Sequence, residues 1–164
     1  MSTMTTLVLV LNLGTVKIEL MPDVAPKHVA QIQKLVAEKA YDGIVFHRVI
    51  DGFMAQTGDV KHGHIDSLNY QMVGTGQSDL PNIPAEFNPV SHQRGVVSMA
   101  RSSNPDSGNS QFFICFGDAS FLDKQYSVFG KVTEGMDIVD TIKRGAPGSG
   151  AVQEPDYIKS AYLE

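Results

Sequence analysis

Along much of the chain, apolar and polar side chains alternate with a period of two. Val16, Ile18 and Leu20 alternate with Thr15, Lys17 and Glu19, which predicts a strand over Thr15–Leu20 with one buried and one wet face. Thr6–Leu11 is an apolar run of strand length, and Asn12-Leu13-Gly14 joins the two as an antiparallel hairpin. Gly95–Ala100, Gln111–Phe116, Ser127–Val132 and Ile158–Leu163 read as further strands. In Gln111–Phe116 the alternation sets Phe112 and Ile114 apart from Gln111 and Phe113, so one pair fills a core and the other faces elsewhere. The spacing turns helical twice. After Pro26, which suits a first helical turn, Val29, Ile32, Leu35 and Val36 form a stripe, and Met136, Val139 and Ile142 mark a shorter second helix.

The most informative stretch is Phe46–Asp59. It reads as a strand that turns at Asp51-Gly52 and continues through Phe53–Gln56. Alternation places Phe46, Arg48 and Ile50 on one face and His47 and Val49 on the other. A guanidinium on an apolar face must find an acceptor or reach water, because it is effectively never deprotonated. Taken alone, the stretch fits an arginine whose stem packs while its head stays wet.

Val60–Phe87 lacks sustained periodicity and predicts a long surface excursion, a feature often tied to function. Its His62 and His64 have no further ligand at metal-binding spacing, and solvated loop histidines are the simpler reading. Gly74-Thr75-Gly76 lacks the lysine and the strand–helix setting of a phosphate loop. Phe121-Leu122-Asp123 is a short turn with two large apolar residues, and Gly145–Pro155 a glycine- and proline-bearing loop. The sum is a mainly β chain of about eight short strands and two helices. Its most economical arrangement is a closed, eight-stranded antiparallel barrel, which leaves no exposed edge, with the helices plugging its ends.

Composition narrows the functional classes. The 164 residues are 42% hydrophobic and 19% charged, values of one globular domain spanning 1–164. A net charge of −5 argues against nucleic acid or an anionic membrane as main partner. The single cysteine, Cys115, fits a reducing compartment and reads as a passive, buried thiol. The N-terminal apolar run has no basic residue before it, so a signal peptide is not expected, and no run is long enough to span a bilayer. The expectation is a soluble cytoplasmic protein without metal or cofactor.

Nothing in the sequence fits covalent or hydrolytic catalysis: there is no Gly-x-Ser-x-Gly elbow and no metal cluster. There remain one embedded arginine, a group of large apolar residues (Phe53, Met54, Phe113, Phe121, Leu122), and Gln56 and Gln111, able to hydrogen-bond a backbone. Phe46–Asp59, Ser98-Met99-Ala100-Arg101, Ser110–Ile114, Phe121–Asp123 and Val128–Val132 together resemble the cyclophilins, peptidyl-prolyl cis-trans isomerases with an eight-stranded barrel capped by two helices. The resemblance runs from the first hairpin to the second helix.

It implies a groove for proline-containing peptides and unfolded chains lined by Arg48, Phe53, Met54, Gln56, Ala100, Arg101, Gln111, Phe113, Phe121, Leu122 and Tyr126, with Arg48 as the catalytic group. Phe121 stands where many relatives carry tryptophan, so only weak binding of cyclosporin-type inhibitors is expected. Arg101 and Tyr126 replace a common asparagine and histidine, as in bacterial-type members. The segment from Val60 to Val73 is longer than the usual link. A polar barrel exterior suggests a monomer. The alternative reading is a prolyl-peptide binding or chaperone module whose catalysis is incidental.

Overall fold

The computed structural model describes residues 6–164. Eight strands form one sheet in the order β3-β4-β6-β5-β7-β2-β1-β8. They are β1 (Thr6–Leu11), β2 (Gly14–Leu20), β3 (Arg48–Ile50), β4 (Met54–Thr57), β5 (Val96–Met99), β6 (Phe112–Cys115), β7 (Val128–Glu134) and β8 (Ile158–Leu163). Every ladder is antiparallel. The hairpin of β1 and β2 pairs Leu11 with Gly14 at its tip and Thr6 with Glu19 at its base. Helix α1 (Pro26–Ala37) starts at the proline, as expected, and α2 (Met136–Val139) follows β7. Among the described residues no helix is long and apolar enough to cross a membrane. The expectation about a leader concerns, in part, the first five residues and lies outside those described.

The sheet curls into a half-barrel rather than the fully closed barrel expected. Its edge strands β3 and β8 share no ladder. The seam between them is bridged by backbone hydrogen bonds between the residues that precede β3 and those at and just before the start of β8: Gly43 N–H to Ile158 O, Ile158 N–H to Ile44 O, and Phe46 N–H to Asp156 O. The Gly145–Pro155 loop fills the rest, with Val49 N–H donating to Gly150 O and Gly145 N–H to Val49 O. Edge groups are thus paired without ladder closure.

Two further differences have local causes. Phe46 does not share a face with Arg48. Residues 46–47 lie outside β3, so strand alternation does not reach back to them, and Phe46 joins Val49 in the main core, both 0% exposed. Arg48 and Ile50 face the other way. Helix α2 stops at Val139; Ile142 is still buried, held by a turn in which its N–H donates to Val139 O.

The core is one large apolar cluster. It joins the α1 stripe (Val29, Ile32, Leu35, Val36) to the inward residues of the sheet, among them Leu7, Leu9, Val16, Ile18, Phe112, Ile114 and Phe129. A second, smaller cluster lies on the opposite face of β4 and β6: Met54, Phe113, Cys115 and Ala119, with Ile50, Phe53, Ala100, Leu122 and Tyr126 packed against it.

Candidate active site

The second cluster floors a cleft, and strand register explains which side chains reach it. In the β4–β6 ladder Gln56 sits opposite Phe113 and Met54 opposite Cys115, while Arg48 of β3 sits opposite Gln56. The odd-numbered face of β6 therefore meets the even-numbered face of β3 and β4, outside the barrel core. Gly52, with φ 76° at the β3–β4 turn, lets the hairpin reverse tightly enough to keep that register.

The cleft is lined by Arg48, Phe53, Met54, Gln56, Ala100, Arg101, Phe113, Phe121, Leu122 and Tyr126, each of them singled out from the sequence. Gln111, the remaining one, lines an adjoining cavity with Gly74, Thr75, Gly76, Gln77 and Asn109; Gln56, Ala100 and Arg101 border both. Phe121 projects outward, 65% exposed, with its ring 5.5 Å from that of Phe53. The short 3-10 turn Ser120–Leu122 carries it. Leu122 and Tyr126 form the far wall. Cys115 lies beneath the floor, 0% exposed, its thiol pushed up to about 12 by burial and so unreactive.

Arg48 stands at the rim. Its residue is exposed, but its head does not drift in solvent: Nε donates to Ser149 O at 3.3 Å and Nη1 to Gln56 Oε1 at 3.2 Å. From Gln56 the chain of donors continues. Gln56 Nε2 donates to Gln111 Oε1 at 2.9 Å, and Gln111 Nε2 donates to Gly74 O at 3.0 Å and Gly76 O at 2.8 Å. This relay fixes the orientation of both amides and ties the β3 edge to the loop across the groove. Of the five N–H groups of a guanidinium, the two bonds named leave Arg48 the Nη2 pair and one Nη1 hydrogen to offer a ligand.

Arg101 forms the opposite wall. Its guanidinium lies 4.4 Å over the Tyr126 ring, and its Nε and Nη2 both donate to Gln125 O at 3.1 and 2.7 Å. The stacking also fixes the Tyr126 ring.

Sequence reasoning missed a brace behind the floor. His92 is 0% exposed and its ring stacks on Phe113, centroids 6.2 Å apart at 18°. Its Nδ1 bonds Asp123 Oδ1 at 3.0 Å and its Nε2 bonds Ser98 Oγ at 2.9 Å. Hydrogen bonds from the Ser91 hydroxyl and the His92 backbone N–H hold the Asp123 carboxyl at about 2. The available signal was Ser98, a lone hydroxyl inside the apolar run Val96–Met99; its partner is remote in kind and gave no periodic cue.

The long excursion is anchored by Asp59, which is fully buried. Its Oδ1 accepts from the N–H groups of Lys61 and His62, and its Oδ2 from those of Gly74 and Gly76. Burial pushes this carboxyl up, but the four backbone donors outweigh it and hold it below the usual range. His64 Nδ1 accepts from Asp66 N–H at 3.1 Å. Among the described residues no three His, Cys, Asp or Glu side chains gather as a metal site would require.

Comparison with known proteins places this geometry. The family model for cyclophilin-type peptidyl-prolyl cis-trans isomerases matches residues 5–163. A probable peptidyl-prolyl cis-trans isomerase of Brucella suis is 58% identical over 161 residues, covering 97% of this chain and 82% of that protein. A peptidyl-prolyl cis-trans isomerase of Helicobacter pylori is 40% identical over 136 residues, 82% of this chain and 77% of the other. Among solved structures, a cyclophilin from Hirschia baltica superposes with a TM-score of 0.81 at 30% identity, over 99% of this chain and 74% of that one. A Cryptosporidium parvum cyclophilin-type isomerase, crystallised in the presence of the dipeptide Ala-Pro, gives 0.84 at 27% identity over 97% and 98%. With almost the whole chain matched in sequence and in fold, and an apolar cleft edged by a tethered arginine, this protein belongs to the cyclophilin-type peptidyl-prolyl cis-trans isomerases.

Proposed function

We propose that the chain accelerates rotation about X-Pro bonds in unfolded chains and exposed loops, with Arg48 as its catalytic group. The observation that carries the reading is the position of the Arg48 guanidinium, held by Ser149 O and Gln56 on the border of a cleft floored by Met54 and Phe113.

Rotation must break amide resonance, a barrier of ~18–20 kcal/mol, so uncatalysed exchange takes tens of seconds or more. Raising the rate about 10⁵-fold means removing about 7 kcal/mol. No covalent bond need form. The planar amide is the more charge-separated state, so a cleft of Phe53, Met54, Phe113 and Leu122 that strips its water raises the ground state relative to the twisted one. As the bond twists, the imide nitrogen pyramidalises and regains a lone pair, to which a free Arg48 N–H donates. That hydrogen bond has no counterpart in the planar substrate and favours only the transition state. A charge-assisted hydrogen bond contributes ~1.5–3 kcal/mol, more where water is excluded. Desolvation and anchoring of the flanking backbone by Gln56, Ala100, Arg101 and Gln111 supply the remainder.

The name of the Cryptosporidium structure, with its Ala-Pro dipeptide, supports a proline ligand. The exposed phenyl of Phe121 offers no N–H donor and supports weak cyclosporin binding. The buried, free Cys115 supports a reducing, cytoplasmic setting, and we read the protein as a monomer. The test is a prolyl-isomerisation assay on a short peptide with Arg48→Ala alongside. Turnover falls at least about tenfold, the loss expected of one charged hydrogen bond, while peptide binding is retained. Unchanged turnover overturns the role of Arg48, whereas absent turnover in the wild-type protein leaves a prolyl-peptide binding module.

A further inference from the structure

The two cavities of the groove carry charge of one sign. Arg48 and Arg101 are the only ionisable groups of high basicity along either lining, and no carboxylate lines either one. The body around them is acidic, with a net charge of −5. The other two arginines of the chain are matched to acids, Arg94 to Asp140 at 2.7 Å and Arg144 to Asp51 at 3.0 Å. Among the described residues Arg48 and Arg101 are the two arginines without a carboxylate partner.

Arg101 is also held in place. It is half-buried, stacked on Tyr126 at 4.4 Å, and its Nη1 donates to Ser102 O at 2.9 Å besides the two bonds to Gln125 O. Carbonyl acceptors fix the fork without cancelling its charge, so little side-chain freedom remains to be lost when a ligand arrives. Because Arg101 borders both cavities, and an extended chain advances ~3.3 Å per residue, a peptide whose proline fills the apolar cleft brings a nearby side chain beside this guanidinium.

Resting on the isomerase reading above, we propose that this groove selects X-Pro segments carrying a carboxylate side chain within two residues of the proline, with Arg101 as the specificity-determining residue. Tyr126 and Gln125 position Arg101; the acidic side chain is the group it meets. A lysine at the same place is repelled and meets no carboxylate in the cavity wall.

The test uses pentapeptides with central proline and Glu, Gln or Lys placed in turn at each flanking position, read as kcat/KM of isomerisation. At one position or more the order is Glu, Gln, Lys, with Glu ahead of Gln by about threefold to fivefold, the size of one partly exposed charge pair. The Glu-to-Lys ratio falls as salt is raised from 50 mM toward 1 M, where the screening length shrinks to ~3 Å. Arg101→Gln collapses the ratio and Arg101→Lys keeps its direction. Turnover that is brisk but indifferent to charge at every position overturns the proposal and leaves the isomerase reading standing. A Glu preference that survives both high salt and Arg101→Gln overturns the assignment to Arg101. Absence of turnover for every peptide overturns the isomerase reading itself, and the proposal with it.

Discussion

Strand β6 presents Phe112 and Ile114 to one side and Phe113 and Cys115 to the other, and the two sides manage burial differently. Inward, Phe112 is 0% exposed and meets Tyr41 and Phe129 edge-on, with centroids 5.6 and 5.9 Å away. Outward, Phe113 is nearly as well buried, but its neighbours are His92 and Tyr126, at 6.2 and 5.8 Å. The inner side is set chiefly by packing, beside one buried bond from the Tyr41 hydroxyl to Ser110 O at 2.7 Å. The outer side must stay open to a ligand, so its shape cannot come from collapse of apolar groups. It is held instead by polar braces at its margins: His92 between Ser98 and Asp123, and Gln56 and Gln111 between Arg48 and the Gly74–Gly76 carbonyls. The apolar cleft is thus built from hydrogen bonds as much as from hydrophobic surface.

The comparison breaks most sharply at β6 itself. Phe112→Ala costs ~3–5 kcal/mol of stability, as expected for a large core side chain that leaves a cavity, and urea unfolding measures it. Phe113→Ala costs clearly less, because its site opens to the cleft, yet lowers isomerase activity more than its stability loss accounts for. Equal losses of stability at the two positions would remove the distinction between the faces.

A pH titration gives the next largest effect. His47 is buried under the rim with its Nδ1 unpartnered, and burial lowers its pKa to about 4. Unfolded, it takes up a proton near its ordinary 6.5; folded, it stays neutral. The unfolded chain therefore binds more protons between about pH 6.5 and 4, and stability falls through that window as pH drops. The loss reaches about 3 kcal/mol, at 1.36 kcal/mol per unit. His47→Gln reduces the slope there, leaving the share of His28, whose pKa burial also lowers, and the losses at lower pH as the Asp59 and Glu86 carboxyls, both held below their ordinary range, protonate. A wild-type stability curve that is level from pH 6.5 to 4 refutes this.

The smallest effect sharpens the polar bracing. Ser98→Ala leaves His92 Nε2 buried without its partner and costs ~1–3 kcal/mol. Because the ring it frees backs Phe113, KM for a proline peptide rises as well. An unaltered KM would show that the brace serves stability only.

Most of this was legible in the chain. Alternation in Thr15–Leu20 assigned the buried face correctly, with Val16, Ile18 and Leu20 buried; in Gln111–Phe116 it separated the two faces without saying which one fills the core, and both are buried. It failed at Phe46 because the ladder begins only at Arg48, and a period of two has no meaning before pairing starts. Barrel closure was overstated for a related reason: a count of strands does not reveal that the last two edges are joined by loop backbone. The cleft residues were legible through motifs that resemble a family. Its polar supports were not, because His92 and Ser98 stand on no common periodic face, Asp123 lies 31 residues from His92, and the three act only as a trio in space.

Asp59 has a consequence for how this chain can change. One carboxylate grips backbone on both sides of the stretch from Lys61 to Gly76, so the two ends of that stretch are stapled to the same point whatever lies between them. Insertions or deletions within residues 64–72 should leave the Gly74–Gly76 rim where Gln111 needs it. The protein carries, in effect, a socket beside its groove into which other segments could be grafted.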